Sequence, residues 1–418
     1  MGLRILIAPA CFKGSLSAME AAGVMNDFLA ERLRADPVEL CLCPIADGGD
    51  DTLAVLQAAN PDFRAESCPV TGPLPEMTVN ARYLFNAAQK LVWIEAAQAH
   101  GLKLMPKNAA LAPMQATSFG VGQLMRHALQ AHQPETLVVS VGGSASTDGG
   151  MGMLQALGAC FLDKAGRDIT APLGGGDLAK LGRMVWPGDA AAFGWKRLII
   201  ATDVVNPLLG PQGAAKVFGP QKGATSLQCQ QLDDGLAHLA QMMQVTSIAQ
   251  GEFGEAQMGI DSLSSLPGTG AAGGLAFGLR CLPRSGIVSG SQWIAEPLHL
   301  PQRVAQSQVI LTGEGCLDLT SLGGKATGHL LAMAGDKPVL FFCGQARDGL
   351  SGWGNVSVFP MVLMDAHSQQ ETGLLNTSQQ AESGYTQAIA SAMADPKAAL
   401  RRVLEQAWPQ LESLISAG

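Results

Sequence analysis

The sequence predicts an α/β protein of more than one domain, on three observations. Short β-branched runs recur along the chain, each followed by turn residues and a helical stretch, which is the pattern of parallel α/β units. Glycine is in excess, 50 of 418 residues against an average near 7%. No Gly-X-Y period accompanies it, so the surplus belongs to loops and tight turns, where backbone can approach a ligand. A chain of this length with 47% hydrophobic residues can fill two or three cores rather than one.

Taken in order, the strand candidates are residues 5–7, 40–43, 138–141, 198–200, 309–311 and 339–342. Between about residues 68 and 96 the pattern changes. Pro-rich turns and the alternating run Thr78-Val79-Asn80-Ala81-Arg82-Tyr83-Leu84-Phe85 read as antiparallel hairpin material, so a different domain begins near Cys68. Residues 365–383 are rich in Gln, Ser, Thr and Asn without apolar period and read as a surface loop. After it Pro396 suits a helix start, and Leu400, Val403, Leu404, Trp408, Leu411 and Leu414 recur at helical spacing. There is no internal repeat.

Composition excludes several classes of partner. The formal net charge is −8 and no Lys/Arg run occurs, which argues against nucleic acid. The apolar runs are strand-sized, far short of the roughly 20 residues of a membrane helix. The N-terminal Met1-Gly2-Leu3-Arg4-Ile5-Leu6-Ile7 meets Pro9 and reads as a first strand rather than a signal-peptide core. Nine cysteines form no C-x₂-C pair, which indicates reduced thiols, a cytoplasmic setting and neither disulfides nor zinc. Seven scattered histidines add no metal-ligand pattern. A homo-oligomer is left open.

In parallel sheets ligands bind beyond the carboxyl ends of the strands, so the residues after each apolar run carry the chemistry. After residues 5–7 come Lys13 and Ser15, ahead of Ser17, a helix N-cap. A lysine and a serine at such a helix mouth suit an anion, although Lys13 also reads as an exposed loop lysine. The second strand leads to Asp47-Gly48-Gly49-Asp50-Asp51. Gly48 and Gly49 permit close backbone approach, and Asp47 suits Mg²⁺ or a substrate hydroxyl, with helix capping the other reading. Asp50 and Asp51 read as first-turn helix charges. The third strand opens into Gly142-Gly143-Ser144-Ala145-Ser146-Thr147-Asp148-Gly149-Gly150, a strand, Gly/Ser/Thr loop and helix of the kind that cradles phosphate. A tight structural turn is the alternative there, and no Walker A pattern occurs anywhere.

The fourth strand ends at Thr202-Asp203-Val204, followed by Asn206 and, further on, Lys222. Asp203 is a candidate for accepting a hydroxyl proton or orienting a metal, or else for capping a helix. Gly268-Thr269-Gly270-Ala271-Ala272-Gly273 matches G-x-G-x-x-G but lacks a strand before it, so tight packing of a Gly/Ala-rich helix is the simpler reading. The fifth strand yields Glu314 and Asp318, with Lys325 shortly after. If these strand ends share one sheet or two facing sheets, Lys13, Asp47, Asp203, Glu314, Asp318 and Lys325 converge on one cleft. Cations, metal and a carboxylate are the mixture phosphoryl transfer needs.

Six of these segments, in order, resemble the motifs of class I glycerate kinases. They are Phe12-Lys13-Gly14-Ser15-Leu16-Ser17, Ala46-Asp47-Gly48-Gly49, Gly142-Gly143-Ser144-Ala145 with Asp148-Gly149-Gly150, Asp203-Val204 with Asn206-Pro207-Leu208, Phe218-Gly219-Pro220-Gln221-Lys222-Gly223-Ala224, and Thr312-Gly313-Glu314-Gly315. The resemblance implies a discontinuous flavodoxin-like parallel-sheet domain over residues 1–67 and 290–418. It implies an inserted α/β domain of restriction-endonuclease-like topology over residues 68–289. It also implies transfer of the ATP γ-phosphate, with Mg²⁺, to a hydroxyl of glycerate, usually the 2-hydroxyl. On this reading Asp203, Asp47 and Lys13 are catalytic, and Asp47 and Asp203 hold the metal. Substrate or phosphate meets Ser15, Gly48, Gly49, Gly143, Ser144, Asn206, Lys222, Glu314, Asp318 and Lys325. The family usually carries arginine where this chain has Cys316, which raises two alternatives: a kinase for another small hydroxy acid, or a binding protein without turnover.

Overall fold

The computed structural model describes residues 3–34, 36–106, 111–170, 172–186, 193–245, 263–347, 350–362 and 388–417. The loop expected at residues 365–383 lies outside them. In chain order the strands are β1 (Leu3–Ile7), β2 (Val38–Leu42), β3 (Arg64–Thr71), β4 (Thr78–Asn86), β5 (Leu91–Glu95), β6 (Thr136–Ser140), β7 (Cys160–Asp163), β8 (Leu181–Val185), β9 (Arg197–Ala201), β10 (Ser285–Val288), β11 (Val309–Leu317), β12 (Val339–Ala346), β13 (Gly352–Trp353) and β14 (Val356–Pro360). The longer helices are α1 (Ala18–Arg32), α2 (Thr52–Ala59), α3 (Phe119–His132), α4 (Ser226–Val245), α5 (Ala326–Ala334) and α6 (Pro396–Ala417).

The chain divides into two compact units. The first comprises Met1–Asp47, Ala54–Ala59 and Ser291–Gly418, and the second Gly48–Leu53 and Asn60–Gly290. Strand β3 runs through the expected boundary at residue 68.

The first unit is built on a six-stranded sheet of order β13-β14-β12-β11-β1-β2. All its pairings are parallel except the edge hairpin β13–β14. Counted within the unit, β2-β1-β11-β12-β14 is the flavodoxin order 2-1-3-4-5, whose ligand-binding switch point lies between the first and third strands. These two strands are β1 and β11. Ile5, Leu6 and Ile7 are fully buried, as a strand covered on both faces requires. Helix α1 starts with a capping box, in which the Glu20 N–H donates to Ser17 Oγ at 3.1 Å and the Ser17 N–H to Glu20 Oε2 at 3.1 Å. Against α1 packs α6, through the edge-to-face pair Phe28–Trp408 with centroids 6.0 Å apart and the ion pair Arg32–Glu405. Ile5, Phe28, Leu311, Phe342, Leu400 and Leu404 share one core.

The second unit carries a six-stranded sheet of order β10-β9-β6-β5-β4-β3. Strands β10, β9, β6 and β5 are parallel, and β4 and β3 continue antiparallel, as the alternating run at residues 78–85 predicts. Strands β7 and β8 form a separate antiparallel pair. Tyr83, Ile94, Val139, Ile200, Leu236 and Phe277 lie in a second core.

Three local expectations are corrected. Strand β11 does not end at residue 311 but runs to Leu317, because its pairing with β12 continues through Glu314–Cys343 and Cys316–Gln345. Asp50 and Asp51 precede α2 rather than occupying its first turn: Asp50 is ion-paired with Lys103 at 2.9 Å, and Asp51 takes a left-handed φ of 70°. Residues 268–273 are likewise not a helix. A 3-10 turn, Ala271–Gly274, has left-handed Ala272 and Gly273 because it threads against backbone: a Cβ on Gly273 would sit 2.1 Å from Ser146 O.

Candidate active site

In the first unit the chain leaving β1 runs on beside β11. The Ala8 N–H donates to Leu311 O and the Ala10 N–H to Gly313 O, each at 2.8 Å. Thr312 Oγ1 closes the ladder by donating to Ala8 O at 2.7 Å. Lys13 follows on an exposed turn whose backbone touches β11 so closely that a Cβ on Gly315 would lie 2.9 Å from Lys13 N. Ser15 Oγ donates to Phe12 O at 3.0 Å and so closes that turn.

Glu314 is nearly buried and accepts a 2.8 Å hydrogen bond from Thr327 Oγ1 at the start of α5. Burial raises its pKa, opposed by the Thr327 and Ser321 hydroxyls and by Lys325. Asp318 accepts from the Ser321 N–H at 3.0 Å and pairs with Lys325 at 3.7 Å. Glu314, Asp318 and Lys325 therefore form one cluster at the end of β11. Cys316 stands among them half-buried, its thiol pKa raised by burial and lowered by the charge of Arg347 at the end of β12.

The second unit gathers its groups on the carboxyl edge of β5, β6, β9 and β10. Gly48, at φ 89°, lies where a Cβ would be 3.1 Å from Ala201 O, the end of β9. A Cβ on Gly142 would sit 2.7 Å from Gly49 Cα, so only paired glycines let the two segments meet. Gly143 faces Asp50, whose Oδ1 would be 3.0 Å from its Cβ.

Behind this glycine contact lies a buried polar network. Lys222, 3% exposed, donates through Nζ to Ser144 Oγ at 2.9 Å and to Ser146 O at 2.5 Å. Burial brings its pKa down to about 7, against the raising charge of Asp148. Asp148 accepts from Ser118 N and Oγ and from the Gly150 and Gly152 N–H groups, at 2.7–3.3 Å. It thereby ties residues 142–152 to the start of α3. His100 Nδ1 lies 3.1 Å from Ser146 Oγ, while its Nε2 is buried without a hydrogen-bond partner among the described residues. Burial holds this imidazole neutral, with a pKa lowered to about 3.

Asp203, half-buried after β9, accepts from Ser289 Oγ at 2.7 Å. Asn206 holds its own loop, with Nδ2 donating to Gln212 O at 2.8 Å. Both belong to the same edge as Gly48 and Ser144.

Glu95, His100, Ser289 and Thr327 are polar residues of these edges that carry no assigned role in the sequence, and Asp148 is named there only within the loop of residues 142–150. Glu95 and Ser289 stand at strand ends, so the strand-end rule that points to Asp203 also reaches them once β5 and β10 are recognised. Thr327 and His100 sit on helices and carry no such signal. Among the described residues no group of three or more His, Cys, Asp or Glu is disposed to hold a metal ion, and no helix is long and apolar enough to cross a membrane. Magnesium is usually held by one or two carboxylates plus substrate phosphates rather than by an all-protein cage. Asp47 of the first unit and Asp203 of the second, each partly exposed, are each a hard oxygen donor of that kind.

Comparison with known proteins matches residues 5–394 to the model of the glycerate kinase family. A protein named glycerate kinase from Haemophilus influenzae is 36% identical over 388 residues, covering 90% of this chain and 97% of the relative. One named glycerate 2-kinase from Escherichia coli is 34% identical, covering 83% of this chain and 86% of that protein. The crystal structure of a provisionally named glycerate kinase 2 from Salmonella typhimurium LT2 superposes with a TM-score of 0.67 at 31% identity, covering 97% of this chain and all of that one.

Proposed function

Because the chain belongs to the glycerate kinase family, we propose that it transfers the γ-phosphoryl group of ATP to the 2-hydroxyl of D-glycerate, in the cytoplasm. The observation that carries the reading is the family match over nearly the whole chain, joined to two strand-end edges that each hold charged groups suited to phosphoryl transfer. The 2-hydroxyl follows the Escherichia coli relative, whose name specifies that position.

In the proposed mechanism Lys13 offsets negative charge on the transferring phosphoryl group, and its exposed turn leaves the ammonium accessible. Asp203 accepts the proton of the attacking hydroxyl, held in orientation by the Ser289 hydroxyl. Asp47 and Asp203 would hold Mg²⁺, which when bound neutralises charge on the phosphate oxygens. Ser15 sits on the Lys13 turn, and Gly48, Gly49 and Gly143 present backbone without side chains, as close approach of phosphate oxygens requires. Ser144 is held by Lys222, so that lysine acts on phosphate through the loop it braces. Asn206 shapes the loop after Asp203, while Glu314, Asp318 and Lys325 supply the polar end of β11 to substrate.

Phosphorus NMR of the protein with D-glycerate, ATP and Mg²⁺ tests this directly. A 2-phosphoglycerate signal is expected, and intact ATP would overturn the reading. Lys13→Ala and Asp203→Asn are each expected to lower kcat/KM by about a hundredfold or more, whereas full activity in both would remove them from the mechanism. Cys316 beside Arg347 marks the position at which another hydroxy acid would be told apart, so an acceptor screen accompanies the assay, with glycerate expected as the best acceptor.

A further inference from the structure

Glu95 ends β5 and is 3% exposed, yet its hydrogen-bonding neighbours are uncharged donors. The Leu53 N–H donates to Oε2 at 3.2 Å and Gln98 Nε2 to Oε1 at 3.2 Å. Burying a carboxyl group against neutral donors is costly, and a strand end packed in a core does not require an acid. What Glu95 holds is specific. Leu53 is the second residue of α2, and the segment Gly48–Leu53 lies on the edge of the second unit's sheet. There Gly48 abuts the end of β9 and Gly49 abuts Gly142 after β6. Thr52 Oγ1 bonds back to Gly49 O at 2.7 Å, so the turn is closed on itself and Glu95 is its anchor to β5.

We infer that Glu95 is a positioning residue for phosphoryl transfer: by gripping the Leu53 N–H it sets where the backbone of Gly48 and Gly49, and the peptide leading from Asp47, lie on the carboxyl edge of β6 and β9. The inference rests on the proposed role of the 47–49 segment. It predicts that the acceptor oxygen of residue 95 matters and its charge does not. Glutamine keeps that oxygen, whereas methionine keeps the bulk and loses it.

The test compares Glu95→Gln, Glu95→Met and Glu95→Ala with the parent in steady-state ATP turnover with D-glycerate, per mole of folded protein, well below each Tm. Glu95→Gln is expected within about twofold of parent kcat. Glu95→Met and Glu95→Ala are expected to lose roughly tenfold or more in kcat, the scale of a displaced reacting group, with KM for ATP changed less than about twofold. Parent kcat in Glu95→Met overturns the inference, as does an equal loss in Glu95→Gln. Should Glu95→Ala not fold, the Gln and Met pair decides alone, since both keep the side-chain volume. Asp47→Asn is measured alongside. Full activity there overturns the reading beneath, whereas an inactive Asp47→Asn with unaffected Glu95→Met overturns this inference only.

Discussion

Glu95 and His100 show burial acting in opposite senses at neighbouring positions. Burial lifts the Glu95 carboxyl from its ordinary 4.5 to about 7, with the charges of Asp50 and Asp51 adding. The folded state then holds a proton that the unfolded chain has released. The stability Glu95 contributes is present below about pH 4.5 and is lost as pH rises through about 7. His100 is the converse, neutral in the fold down to about 3, so its contribution is present above about pH 6.5 and is lost on acidification. Urea unfolding at pH 4.5 and pH 7.5 separates them. Relative to parent, Glu95→Gln is expected to abolish a loss on the order of 3 kcal/mol between the two pH values; an identical pH slope in both proteins would show that the Glu95 carboxyl titrates alike in the folded and unfolded chain. Residue type and position in the sequence point to Lys13, Asp47 and Asp203. Nothing in the sequence distinguishes a buried Glu95 from a solvated one.

The elements were legible where side-chain periodicity is local. The strands near residues 5–7, 138–141 and 198–200, the hairpin at 78–85 and the helix from Pro396 all follow from short-range pattern. Strand β11 exceeded its apolar run because backbone pairing with β12, not side-chain hydrophobicity, carries Thr312 to Leu317 in the ladder. The packing of α3 on β3 was equally hidden. A Cβ on Gly120 would lie 1.8 Å from Thr71 O, a backbone atom that cannot swing aside. Gly120→Ala should therefore lower stability by about 2 kcal/mol or more through a forced shift of α3, read as a lower midpoint in thermal unfolding. The same change at Gly158, which meets nothing within 4 Å, would create no clash. Its positive φ of 116° leaves a cost of backbone strain, on the order of 1–2 kcal/mol.

Among the described residues each six-stranded sheet packs on a core of its own and presents one carboxyl edge with polar groups. A protein of this family that binds nucleotide in its folded state gains stability by mass action. Mg·ATP at about a hundred times its Kd should add roughly 2.7 kcal/mol, seen as a rise in Tm that Lys13→Ala diminishes. No rise at millimolar Mg·ATP would contradict the donor proposed here.

The sequence by itself determined the α/β class and the ordered motifs that lead to the glycerate kinase family, because strand periodicity and strand-end glycines and acids are local properties of the chain. Tertiary structure alone decided the strand order 2-1-3-4-5 in the first unit, the extension of β11 and the partners of the buried ions. Lys222 meets Ser144 across 78 residues of chain and Glu95 meets Leu53 across 42. Burial and long-range pairing of this kind arise only when distant segments pack, and they set which ionisable groups keep their charge.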